Sequence, residues 1–168
     1  MYSLEGRLVI LASGGNLNAF VELVNMYKDK IYDVASRMLK SGHDAEEVVA
    51  ETFILVYQNL NNVDLCNHLK IWIFKVAMNS CLQRLRKQKE AWTQTEAACE
   101  TGCLTGTQQQ VNQAIDALPE KHRMVVILFY CHRFSLGDVS KILNMDVGTI
   151  KTYLRYCREF ISERVTYH

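Results

Sequence analysis

With 168 residues the chain has room for one ordinary domain or two small ones, and an apolar content of 49% excludes disorder throughout. A formal charge of +1 excludes a uniformly basic nucleic-acid binder, yet the average conceals two blocks of opposite sign. The charges of "DAEEVVAE" are Asp44, Glu46, Glu47 and Glu51, whereas those from Lys70 to Lys89 are Lys70, Lys75, Arg84, Arg86, Lys87 and Lys89, a pattern that suits two partners, one basic and one anionic.

One proline, few glycines and no alternating strand pattern predict an all-α chain. The early apolar run "LVILA", Leu8 to Ala12, is too short for a signal-peptide core or a bilayer span, so a soluble, intracellular chain without direct membrane insertion is expected. A first short helix ends near "SGGN". The next, "LNAFVELVNMYKDKIYDVASRML", carries Phe20, Leu23, Val24, Tyr27, Ile31 and Val34 on one stripe. "SGHD" breaks it, with Asp44 expected to cap a third helix that buries Val48, Thr52, Leu55 and Val56. After the loop "NNVDLCN" a basic helix is predicted from about His68 to Gln88, turning Leu69, Trp72, Ile73, Val76 and Ala77 inward.

"AWTQTEAACETGCLTGTQQQ" has no helical period and reads as a flexible linker. The expected organisation is therefore two small helical domains, 1–90 and 110–168, joined by a linker over 91–109. In the second domain "VNQAIDAL" resumes the helical period, and Pro119 suits the first turn of the helix containing "MVVILFY". Ser135 and Asp138 form a variant capping box for a short helix with Leu136, Val139, Ile142 and Leu143 inside. Asn144 occupies the tight turn and Asp146 caps the last helix. There Val147, Ile150, Leu154, Cys157 and Ile161 face the core, leaving Gly148, Thr149, Thr152, Arg155 and Tyr156 on the opposite side, with Lys151 and Arg158 at its edge. Two short helices joined by such a turn make a helix-turn-helix, whose polar face suits base edges and phosphates in a major groove.

The six cysteines, Cys66, Cys81, Cys99, Cys103, Cys131 and Cys157, lack a disulfide-scaffold context and are expected to be reduced. Cys99 and Cys103 form half of a metal or redox pattern with no second half of recognised spacing. No Gly-rich phosphate loop, nucleophile motif or paired metal-ligand motif occurs, so neither catalysis nor a cofactor is expected.

In this order, "LNAFVELVNMY", "DAEEVVAETFILVYQNL", "LKIWIFKVAMNSCLQRLRK" and "ALPEKHRMVVILFY" followed by "VGTIKTYL" resemble the bacterial extracytoplasmic-function (ECF) sigma factors of the sigma-70 family. The likeness covers nearly everything but the linker. It implies a region 2 that binds core RNA polymerase through Asp44, Glu47 and Glu51. It further implies −10 element contacts from Asn62, in a loop that holds a flipped base, and from Lys75, Asn79, Arg84, Arg86 and Lys87. It also implies a region 4 that reads the −35 element with Thr149, Lys151, Thr152, Arg155, Tyr156 and Arg158, and an anti-sigma factor as a third partner. The chain departs from the family pattern at Ala50, Leu55, Met78 and Tyr153, where Gln, Arg, Arg and Arg are usual. The short tail beyond the last helix predicts no accessory C-terminal domain. Two other readings stay open: a sigma-like decoy that occupies an anti-sigma factor, expected to lose the DNA-facing charge retained here, and a stand-alone helix-turn-helix regulator, expected to bring a dimerisation element.

Overall fold

Asn16, Ser41, Ser135 and Asp146 each place a side-chain oxygen on a backbone N–H of the turn that follows, and these caps fix where four of the helices begin. The computed structural model describes residues 2–92 and 106–165. Among the described residues there is no strand, and the helices run α1 Leu4–Ser13, α2 Leu17–Leu39, α3 Gly42–Gln58, α4 Val63–Trp92, α5 Thr107–Asp116, α6 Glu120–Val126, α7 Leu136–Leu143 and α8 Val147–Arg164. They divide into two compact units, residues 1–84 and 85–168.

In the first unit α2 packs against both α1 and α3. Leu23, Tyr27, Ile31, Val34 and Met38 of α2, Val48, Phe53 and Val56 of α3, and Leu69, Ile73, Phe74, Ala77, Met78 and Cys81 of α4 are all buried, as an apolar stripe at helical spacing requires. Gly6 of α1 lies so close to α4 that an added Cβ would stand 2.5 Å from the Cys66 carbonyl oxygen, a clash with backbone that has no side chain to move aside. Thr52 is buried without penalty because its hydroxyl donates to the Val48 carbonyl at 2.7 Å.

Three expectations need correction here. The cap of α3 is Ser41, whose Oγ accepts from the Asp44 amide at 3.3 Å, so that Asp44 falls inside the first turn, where its charge still favours the positive end of the helix. Leu55 is exposed and Phe53 is buried instead. The loop expected before the basic helix is largely helical from Val63, and the break is a kink at His68 (φ −131°, ψ 28°).

In the second unit α5, α6 and α7 each pack on α8. Leu118, Val126 and Cys157 form a buried cluster with Ile115, Phe160 and Ile161 packed around it. Helix α5 begins at Thr107, inside the stretch read as linker, and Pro119 is the residue before α6 rather than its first. Helix α6 ends in a π-helical turn, Ile127–Cys131, after which Arg133 takes a left-handed conformation (φ 55°). Asn144 is also left-handed (φ 52°), and the amide of Met145 closes the turn on the Ser140 carbonyl at 3.1 Å.

Candidate polymerase and nucleic-acid interfaces

Helix α3 carries three of the predicted site residues, Asp44, Glu47 and Glu51, on one side. The structure brings a fourth, Arg84 of α4, into the middle of them. Its guanidinium reaches Glu47 Oε2 at 2.6 Å, pairs with Glu51 Oε1, and lies 3.8 Å from Asp44 Oδ1. The second oxygen of each glutamate is also engaged: His43 Nε2 stands 3.2 Å from Glu47 Oε1, and the Ser80 hydroxyl donates to Glu51 Oε2 at 2.7 Å. Burial works against the charge on Arg84, but hydrogen bonds and charge from Glu47 and Glu51 outweigh it and raise its pKa above the ordinary guanidinium value.

Beside the acidic residues, Phe20, Ala50, Phe53, Ile54, Tyr57 and Gln58 line a shallow apolar groove of about 290 Å³. Phe20 and Tyr57 meet edge-on there, ring centroids 5.2 Å apart. Ile54 and Tyr57 are more than half exposed. The outer side of α3 thus combines fixed carboxylates with uncovered apolar surface, the composition of a protein-docking face.

On α4, Lys75 and Asn79 fall on one exposed face of the first unit, and Arg86 and Lys87, in the second unit, are exposed. Arg84 lies roughly 140–180° round the helix from that face, on the side that meets α3. Asn62 is exposed at the end of the α3–α4 connection, where its amide donates to the Asn59 carbonyl at 2.9 Å. Met78, at a position where the resembled family has arginine, is buried in the core.

In the second unit Asp146 Oδ2 accepts from the amides of Gly148 (2.9 Å) and Thr149 (3.4 Å), anchoring the start of α8. Thr149, Lys151, Thr152, Arg155, Tyr156 and Arg158 are all exposed. The Thr152 hydroxyl donates back to the Gly148 carbonyl at 3.1 Å, and Arg155 makes a loose, exposed pair with Glu159 at 3.4 Å. His122 and Phe160, which the sequence pattern did not single out, pack against the tyrosines of this helix. The ring of His122, from α6, stacks on Tyr153 at 4.1 Å and leans on Tyr156 at 4.9 Å. Tyr156 in turn stacks on Phe160, whose other neighbour is the Arg164 guanidinium, 3.5 Å from the ring centre. Spacing along one helix could have linked Tyr153, Tyr156 and Phe160, but no local signal ties them to His122.

None of the four cysteines among the described residues is in a disulfide: Cys81 and Cys157 are buried, Cys66 half-buried and Cys131 exposed. Cys99 and Cys103 lie outside the described residues, among which no cluster of metal-ligating side chains occurs. Nor is any described helix long and apolar enough to cross a membrane.

This arrangement, an acidic helix with a basic one behind it and a separate helix-turn-helix, coincides with two family matches: Sigma-70 region 2 over residues 23–91 and Sigma-70, region 4 over residues 108–158. The ECF RNA polymerase sigma factor SigW of Bacillus subtilis is 32% identical across 90% of this chain and 91% of its own length. The chain belongs to the ECF sigma factors of the sigma-70 family. The sigma-E factor of Escherichia coli is 27% identical over 94% of this chain and 92% of its own. Among solved structures, CnrH bound to the cytosolic domain of CnrY shares the fold with a TM-score of 0.73 at 18% identity, covering 96% of both chains. The Bartonella quintana sigma factor RpoE, solved with the anti-sigma factor NepR, does so with a TM-score of 0.71 at 21% identity, over 86% of this chain and 94% of that one.

Proposed function

We propose that this ECF sigma factor docks on core RNA polymerase through the acidic and apolar outer side of α3, engages the −10 element with α4, and engages the −35 element with α8. The observation that carries the reading is the occurrence of both sigma regions in one chain, in order, with a 32% identical relative across nearly the whole length. The docking surface suits a basic partner, because carboxylates held at fixed positions attract positive charge without much reorganisation. On α4, Lys75, Arg86 and Lys87 supply salt-dependent phosphate attraction, while Asn79 and Asn62 supply hydrogen-bonding groups beside an unpaired strand. Drawing a base out of the stack costs a few kcal/mol, which such contacts must offset.

On α8, Thr149 and Thr152 lie close to base edges and backbone, with Lys151, Arg155, Tyr156 and Arg158 as phosphate or guanine contacts. Two weak DNA contacts on one polymerase-bound chain reinforce each other through effective concentration, which lets a chain of net charge +1 select promoters. The chain works in the cytoplasm and contributes no catalysis of its own: the polymerase makes RNA and this subunit chooses where. An anti-sigma factor is the expected regulator, in keeping with a protein of the same fold, the Bartonella quintana RpoE, whose structure was solved in complex with the anti-sigma factor NepR.

Transcription in vitro tests this. Core polymerase with the purified chain should start RNA at discrete sites on a genomic fragment library, and the sites should share two upstream sequence blocks at a fixed separation. A folded chain that binds core and yields no chain-dependent start sites contradicts the promoter-selecting role and points to a decoy.

A further inference from the structure

Arg84 belongs by sequence to the basic block, yet its surroundings belong to the acidic one. It projects from the side of α4 away from Lys75 and Asn79, and its side chain is 19% exposed. Both glutamates that hold it are about half exposed, at 45% and 51%, so they keep accessible surface although both oxygens of each are engaged. A carboxylate has room for about four hydrogen bonds, and the bonds to Arg84, His43 and Ser80 leave acceptor sites open toward solvent.

We propose that Arg84 is a positioning residue for the polymerase-docking face rather than a DNA contact: it clamps Glu47 and Glu51 into one orientation and ties α3 to α4. The inference rests on the docking role of α3 given above. Free glutamates on a helix surface sample several rotamers, and each loses that freedom when a partner immobilises it. A guanidinium fork that already spans both carboxylates removes the cost in advance, as its planar, bidentate geometry allows and a lysine's point charge only partly reproduces. A guanidinium neutralised by two carboxylates and turned away from the DNA-facing stripe is a poor phosphate anchor.

The test uses the full chain, core polymerase and a mixed-sequence single-stranded oligodeoxynucleotide. Arg84→Ala should weaken core binding roughly tenfold, the scale expected when two long side chains must be ordered on binding, and Arg84→Lys should recover part of it. Ser80→Ala, which frees one glutamate oxygen and changes no charge, should weaken it less. In a Glu47→Ala, Glu51→Ala background, Arg84→Ala should add almost nothing, because the clamp then has nothing to position. A loss of stability alone would not produce that pattern among variants shown to be folded. The salt slope of oligonucleotide binding by the core complex should be unchanged by Arg84→Ala, whereas a phosphate contact would lower it by about 0.7. Unchanged or tighter core binding by folded Arg84→Ala, or a reduced slope, overturns the proposal. Charge reversal of Glu47 and Glu51 identifies a different failure: if core binding survives it, the docking role of α3 itself is wrong.

Discussion

The imidazole of His122 lies against the phenol ring of Tyr153, ring centroids 4.1 Å apart and planes 26° from parallel, so that α6 braces the middle of α8 from behind. The bracing side chain is one that titrates near neutrality. Burial lowers its pKa in the folded chain. Above the ordinary histidine value both folded and unfolded chains hold it neutral, and it contributes no pH dependence. As pH falls below that value the unfolded chain takes up a proton that folded His122 resists, and stability is lost. The melting temperature of the full chain should therefore drop more between about pH 7 and pH 5.5 than that of His122→Phe, which keeps the ring stacking and cannot titrate. Parallel pH profiles for the two proteins would contradict the assignment.

Asp146 anchors α8 through the amides of Gly148 and Thr149. Asp146→Ala leaves both without their side-chain acceptor and should cost about 0.5–2 kcal/mol, with Asp146→Asn losing less because asparagine caps nearly as well. Urea denaturation of the two variants measures the difference. Equal stability of the alanine variant and the parent would show that water serves the helix end as well as the carboxylate does.

Lys151 and Arg155 are exposed on α8, and neither side chain is needed by the buried cluster around Cys157. Replacing both by Ala should leave core polymerase binding unchanged and weaken promoter complexes. The slope of log affinity against log salt should become shallower by about 2, roughly one for each phosphate left without its cation. An unchanged slope would mean that α8 presents a different face to DNA.

The thiols differ in environment enough to be ranked. Burial pushes the Cys81 thiol up to about 12, where the nearby Arg84 charge lowers it and Glu51 raises it, and pushes Cys157 up to about 11. Cys131 is exposed. Since the thiolate is the reactive form, iodoacetamide at neutral pH should label Cys131 well before Cys81 or Cys157, as peptide mass spectrometry can read site by site. Early labelling of Cys81 would mean that its part of α4 opens from the rest of the first unit far more readily than its burial implies.

What the sequence makes legible here is mainly local. Ser135, Asn144 and Asp146 act within a few residues of their own position, so the turn and both helix starts of the helix-turn-helix could be placed from composition alone. Where two local candidates compete, the choice needs the fold. Ser41 and Asp44 are both good caps, and the earlier one wins because α2 ends in a left-handed turn at Lys40 directly before it. Leu55 and Phe53 flank the same apolar stripe, and only the arrival of neighbouring helices decides which is covered. The π-helical turn at Ile127–Cys131 has no distinguishing pattern in "ILFYC". Long-range pairings were beyond reach. Two charge blocks of opposite sign suggest two external partners, yet Arg84 reaches back to Glu47 and Glu51 across 37 and 33 residues of sequence. His122 meets Tyr153 in the same unannounced way.

If the outer side of α3 is the polymerase-docking face, its carboxylates must govern affinity for the polymerase. The most direct test is equilibrium binding of fluorescently labelled full chain to purified bacterial core RNA polymerase, comparing the parent with Glu47→Lys, Glu51→Lys. The parent should bind saturably and the charge-reversed chain at least tenfold more weakly, the scale of a few kcal/mol seen when close charge pairs at an interface are reversed, with far-UV circular dichroism unchanged. Equal affinity of two equally folded proteins would contradict the docking role of α3.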